Sequence, residues 1–233
     1  MQQGVRFAMR PPLGALCGEL YERSMNTFDI LRGLYAITDE SLISDERLVP
    51  ATALAIDGGA RMIQYRSKHP DRARRLWEAQ DLVTLCRPLG IPLIVNDDVE
   101  IALQARAAGV HLGKNDSDIA AAREVLGQEA IIGVSCYDRL ELALEAENAG
   151  ADYVAFGSFF PSSVKPDAVR ATPDLLRDAK TRLTVPVVAI GGITADNGGT
   201  LVAAGADMLA VVSAIFGVDD IRAAARAISK LYD

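Results

Sequence analysis

The sequence predicts a single (β/α)8 barrel, a TIM barrel, over residues 31–233, with a short N-terminal extension over residues 1–30. Three observations lead there. From Gly33 to Asp233, eight short apolar segments of strand length alternate with amphipathic stretches of helical period. Glycine recurs where a helical stretch gives way to every second strand, at Gly59-Ala60, Gly109-Val110, Gly150-Ala151-Asp152 and Gly205-Ala206-Asp207. The first strand runs into Ile37-Thr38-Asp39-Glu40 without the Gly-rich turn of an open dinucleotide-binding sheet.

In order, the predicted strands are 34–38, 62–66, 93–96, 110–112, 131–135, 153–157, 187–190 and 208–212. Unbroken apolar runs such as Val187-Val188-Ala189-Ile190 suit strands covered on both faces, as in a parallel sheet. Between strands 2 and 3, Ala73, Leu76, Trp77, Val83 and Cys86 recur near helical spacing, with Arg74, Arg75 and Glu78 between them. The four glycine junctions are expected to hold the left-handed residue that stops a helix. Strands 3 and 7 begin instead at Pro92 and Pro186, where proline removes no internal ladder bond. The repeat is therefore two βα pairs, and four copies close a barrel through right-handed crossovers.

Composition bounds the function. Half of the 233 residues are apolar and the net charge is −7, which argues against a general nucleic-acid binder. Cys17, Cys86 and Cys136 are widely separated and odd in number, so a reducing cytoplasmic setting is expected rather than a disulfide scaffold. His69 and His111 are not spaced as a helical metal pair. No apolar stretch reaches membrane-spanning length, so no membrane partner is expected. Residues 1–30 read either as a disordered tail or as a small cap. Homo-oligomerisation stays open.

Chemistry in such a barrel collects where strands end and the following loops begin. At the end of strand 2, Gln64, Arg66 and Lys68 alternate, which would send an amide and two cations in one direction toward phosphate oxygens. Lys165, after strand 6, would complete a diphosphate clamp. Asp97 and Asp116 follow neighbouring strands and could share Mg²⁺, while Asp98 and Asp118 read as helix caps. Gly191-Gly192 and Val212-Ser213 mark a second phosphate site after strands 7 and 8. Two phosphate sites imply two phosphorylated substrates or one long one; with a cationic side for diphosphate and a glycine side for monophosphate, the joint reading is a transferase that expels diphosphate and joins two molecules.

Gln64-Tyr65-Arg66-Ser67-Lys68, Asn96-Asp97, Gly113-Lys114-Asn115-Asp116, Ser135, Pro161-Ser162-Ser163-Val164-Lys165, Ile190-Gly191-Gly192-Ile193 and Val212-Ser213-Ala214-Ile215 together resemble the thiamine phosphate synthase family. The resemblance covers the chain from Gly33 onward. It implies condensation of 4-amino-2-methyl-5-(diphosphooxymethyl)pyrimidine with 4-methyl-5-(2-phosphooxyethyl)thiazole. It implies that Gln64, Tyr65, Arg66, Ser67, Lys68, Asn96, Ser135 and Lys165 hold the pyrimidine diphosphate, with Arg66, Lys68, Ser135 and Lys165 acting in catalysis. By the same resemblance, Asp97 and Asp116 hold Mg²⁺, and Ser162, Ser163, Val164, Gly192, Val212 and Ser213 hold the thiazole phosphate. Two stretches depart from the family pattern. Val164 replaces a threonine of a threonine-x-threonine-lysine loop, and Gly113-Lys114-Asn115-Asp116 stands where Gly-Gln-Glu-Asp is usual. The alternatives are a thiazole tautomerase, which needs no diphosphate clamp, and a non-catalytic barrel that binds a thiamine precursor.

Overall fold

The computed structural model describes residues 31–113, 118–161 and 169–233. The N-terminal extension and two loop segments lie outside the described residues. Eight parallel strands close a barrel in chain order: β1 (Gly33–Ile37), β2 (Ala60–Tyr65), β3 (Leu93–Asn96), β4 (Gly109–Leu112), β5 (Ile131–Tyr137), β6 (Tyr153–Gly157), β7 (Val187–Ile190) and β8 (Met208–Val211). Closure is made by β1 pairing with β8, Leu34 opposite Leu209 and Ala36 opposite Val211. Around the barrel run α1 (Asp45–Asp57), α2 (Arg72–Cys86), α3 (Val99–Ala105), α4 (Ile119–Leu126), α5 (Leu140–Asn148), α6 (Pro173–Arg182), α7 (Gly198–Ala203), α8 (Ser213–Phe216) and α9 (Ile221–Ser229).

The two-residue alternation of the strands divides the core into two layers. Leu34, Ala36, Ile63, Val95 and Val110 face outward and pack under the helices. Tyr35, Ile37, Met62, Ile94, Tyr153, Val188 and Met208 point inward and fill the barrel. The filled interior leaves room for a ligand only above it, at the C-terminal ends of the strands. The prolines behave as predicted: Pro92 and Pro186 precede their strands, and their carbonyls accept from Ile63 N–H and Val154 N–H.

Two local readings are corrected. Gly59, Gly150 and Gly205 are left-handed residues that end helices, with φ of 105°, 93° and 107°. Gly109 is not one of them. The left-handed stop of α3 is Arg106, at φ 56°. Gly109 already lies in β4, where an added Cβ would sit 1.8 Å from the Ile131 carbonyl oxygen. Close approach of β4 and β5 therefore requires glycine there. In α2 the buried face is Ala79, Leu82, Val83 and Cys86. Trp77, expected on that face, is 67% exposed because, two positions before Ala79, it lies about 200° round the helix on the opposite face.

Candidate active site

At the mouth, the loop after β2 is held by the loop after β1. Thr38 Oγ1 accepts from Arg66 N–H at 3.1 Å. Asp39 Oδ2 receives Arg66 Nη1 at 2.5 Å, and its Oδ1 accepts from Ser41 N–H and Oγ. Glu40 accepts from Ser67 Oγ at 2.5 Å and Lys68 N–H at 3.0 Å. Partial burial pushes the Glu40 carboxyl up, but the bonds from Ser67, Lys68 and His69 outweigh it and hold it below the usual carboxylate range. The strand itself stops at Tyr65, so Arg66 and Lys68 leave from the irregular loop that follows.

Consequently the three residues of the alternating triplet do not point one way. Gln64 is buried in the barrel, where its Nε2 donates to Tyr35 Oη at 2.7 Å. Arg66 lies at the rim of the central cavity. Lys68 reaches sideways to Asp97 Oδ2 at 2.6 Å. Tyr65, expected with its neighbours on the pyrimidine diphosphate, turns its side chain away from the central cavity. Alternation sends it to the outer layer, where its hydroxyl donates to Glu78 Oε2 at 2.5 Å. Ser67 is engaged by Glu40.

The central cavity, about 590 Å³, is lined by Gln64, Arg66, Asn96, Ser135, Gly191, Gly192, Val212 and Ser213 among others. A second cleft of about 630 Å³ adjoins it, with Ser67, Lys68, Asn96, Asp97 and Asp98 in its wall. Asn96 borders both. Asp98 caps α3 through Ile101 N–H, and Asp118 caps α4 through Ala120 N–H, as the sequence predicts. Asp97 instead holds a left-handed backbone at φ 65°, which turns its carboxylate to the rim. Asp116, Ser162, Ser163, Val164 and Lys165 lie outside the described residues.

Glycine is required at 191 and 192. A Cβ on Gly191 would meet Ser158 Oγ at 2.1 Å, and one on Gly192, at φ 64°, would meet the Pro161 carbonyl oxygen at 2.3 Å. The loops after β6 and β7 thus touch backbone to backbone and form the wall opposite Arg66.

Sequence reasoning missed the cavity floor. His111 is buried, with Nδ1 3.0 Å from Tyr153 Oη and Nε2 2.9 Å from Ser135 Oγ. Weighing His111 only as a metal ligand hid it. The available signal was a histidine in register with inward-facing strand positions.

The fold and mouth define a (β/α)8 barrel with a polar mouth at the C-terminal strand ends: one wall carries cations and an acidic rim, and the other carries close-packed glycine backbone. Comparison with known proteins gives the family. The family model for thiamine monophosphate synthase matches residues 34–215, and the chain belongs to that family. A thiamine-phosphate synthase from Methylococcus capsulatus is 53% identical over 201 residues, covering 86% of this chain and 89% of the relative. One from Chromobacterium violaceum is 54% identical over 199 residues, covering 85% and 95%. The solved structure of thiamine phosphate pyrophosphorylase from Pyrococcus furiosus superposes with a TM-score of 0.80 at 37% identity, covering 89% of this chain and 98% of that one.

Proposed function

We propose that this chain is a transferase of thiamine biosynthesis that joins the pyrimidine diphosphate to the thiazole phosphate, giving thiamine phosphate and diphosphate. The observation that carries the reading is the central cavity, where Arg66, Asn96 and Ser135 face Gly191, Gly192 and Ser213 across one space. That space has a cationic end for a leaving diphosphate and a glycine end for a monophosphate.

The chemistry follows from position. The bond from the pyrimidine methylene to diphosphate breaks as negative charge grows on the leaving oxygen. Arg66 and Lys68 stabilise that charge, and Ser135 donates to it. The thiazole nitrogen, held by its phosphate at the other end, captures the electron-poor methylene carbon. Alignment of the two reactants replaces a strong base. The barrel interior below is packed with largely apolar side chains, whose low dielectric strengthens these interactions.

A divalent cation fits the rim. Asp97 supplies a carboxylate beside Asn96, and no group of three or more acidic, histidine or cysteine ligands forms among the described residues. A site with few protein ligands suits Mg²⁺, which keeps waters and takes phosphate oxygens. Asp97, with Asp116, would hold it, and the bound ion would neutralise charge on the diphosphate. A cytoplasmic setting is part of the same proposal. It is supported by buried free thiols at Cys86 and Cys136 and by described helices too short and polar to cross a membrane.

The test is to incubate purified protein with Mg²⁺ and both substrates and to measure thiamine phosphate and diphosphate together. Equimolar release of both is expected. Tight binding without diphosphate release would favour a binding barrel, and isomerisation of a thiazole carboxylate phosphate without coupling would favour a tautomerase.

A further inference from the structure

A continuous line of hydrogen bonds crosses the floor of the cavity through side chains from five strands. Gln64 Nε2 donates to Tyr35 Oη at 2.7 Å, and Tyr35 Oη meets Tyr153 Oη at 2.9 Å. Tyr153 Oη lies 3.0 Å from His111 Nδ1, and His111 Nε2 lies 2.9 Å from Ser135 Oγ.

The direction follows once each phenol hydrogen in the line is required to find an acceptor within it. An amide nitrogen only donates. Tyr35 accepts from Gln64, whose amide nitrogen cannot take the Tyr35 hydrogen in return, and Tyr153 Oη is the acceptor within reach for that hydrogen. Tyr153 accepts it and has its hydrogen left for His111 Nδ1. That nitrogen must then be bare, so the neutral ring carries its hydrogen on Nε2 and donates to Ser135 Oγ. The hydrogen of Ser135 itself is left for the cavity it lines. Burial pushes both phenols up, so they stay neutral members of the line.

The surroundings hold the line in place. Tyr153 stacks on His111 with centroids 5.6 Å apart, and meets Tyr35 edge-on at 6.0 Å. Gly133 makes room for it, since a Cβ there would sit 1.9 Å from Tyr153 Cζ. Running backwards, the same bonds would place the proton on His111 Nδ1 and turn the Ser135 hydrogen into the ring. Only serine lone pairs would then face an anionic ligand, which is the unfavourable arrangement.

We propose that this relay holds His111 in its Nε2–H tautomer and thereby presents the Ser135 hydroxyl as a donor to an anionic leaving-group oxygen. Tyr35, Tyr153 and His111 are positioning residues, and their role rests on the transferase reading above. A catalytic advantage follows because the Ser135 bond strengthens as charge develops on the leaving group.

The experiment has a spectroscopic arm and a kinetic arm. The chain has two histidines, so labelling histidine with the heavy nitrogen isotope gives two imidazoles, and His69→Gln assigns them by subtraction. At neutral pH, His111 is expected to show a protonated-type Nε2 and a bare-type Nδ1. Tyr153→Phe is expected to remove that preference while the melting curve stays cooperative. An Nδ1–H tautomer, or an imidazolium, in the unmutated protein overturns the proposal.

In the kinetic arm, Ser135→Ala should lower kcat about ten- to hundred-fold, the scale of one hydrogen bond to a charged group. Tyr153→Phe should lower kcat with little change in KM, and should add almost nothing in a Ser135→Ala background. An undiminished effect of Tyr153→Phe in that background means that it acts through packing, and overturns the proposal. Failure of the transferase reading looks different: the unmutated protein would release no diphosphate, while the tautomer measurement would still decide the relay.

Discussion

Asp39→Ala tests the claim that the β1 loop aims Arg66. Asp39 is nearly buried, and Arg66 is one-quarter exposed, at side-chain values of 8% and 25%. The substitution removes one charge-assisted bond to Arg66 and two acceptor contacts to Ser41. A hydrogen bond to a charged group contributes about 1.5–3 kcal/mol. A broken buried pair costs about 3–5 kcal/mol, but water reaches Arg66, so the lower range applies, about 2 kcal/mol. Loss of the Ser41 contacts adds about 1 kcal/mol. The total of about 3 kcal/mol corresponds to a fall of roughly 6–12 °C in Tm for a chain of this length. Arg66 keeps its charge but loses its aim, so kcat/KM should drop about ten- to hundred-fold. Asp39→Asn keeps an oxygen for Ser41 and should lose less on both counts. Circular-dichroism melting and a coupled diphosphate assay measure the two effects. A Tm within about 1 °C of the unmutated protein, or a rise in kcat/KM, would refute the reasoning.

Asp97→Ala should depress turnover severely at limiting Mg²⁺ while the far-ultraviolet spectrum is unchanged; unaltered turnover would remove Asp97 from the metal site. Gly192→Ala forces a Cβ to 2.3 Å from the Pro161 carbonyl oxygen at a left-handed φ, so about 1–3 kcal/mol of stability should be lost. Its KM for the thiazole phosphate should rise more than its KM for the pyrimidine diphosphate, and an equal rise would break the assignment of the two ends. The depressed Glu40 carboxyl stabilises the fold fully above the unfolded value of about 4.3, and that contribution is lost as pH falls through the lower folded value. Denaturation midpoints of the protein and of Glu40→Gln should therefore differ at neutral pH and converge in acid; a constant gap across pH would contradict the hydrogen-bonded anchor.

The strands were legible because residues buried on both faces leave nothing but apolar runs, and each predicted strand lies within two residues of its observed bounds. Asp98 and Asp118 were legible as caps because capping is local, decided within one helical turn. Arg106 was not, since a left-handed arginine leaves no composition signal. Arg66, Asn96, Ser135, Gly192 and Ser213 could be picked out by residue type at strand ends, and the structure gathers them at one cavity. Asp39 and Glu40 escaped notice because their partners lie 27 and 28 residues away in the chain. The outward turn of Tyr65 was not read from the motif, because a motif shows which residues are neighbours, not which face of the strand each takes.

Sequence by itself determined the barrel and its strand order, since periodicity and chain connectivity are written residue by residue. Only tertiary structure decided that Lys68 turns to Asp97 while Arg66 stays with Asp39, and that Tyr35, Tyr153 and His111 meet under the cavity. The physical reason is that barrel closure sets distances between strands far apart in the chain. A hydrogen bond depends on those distances to a few tenths of an ångström, and no local pattern encodes them.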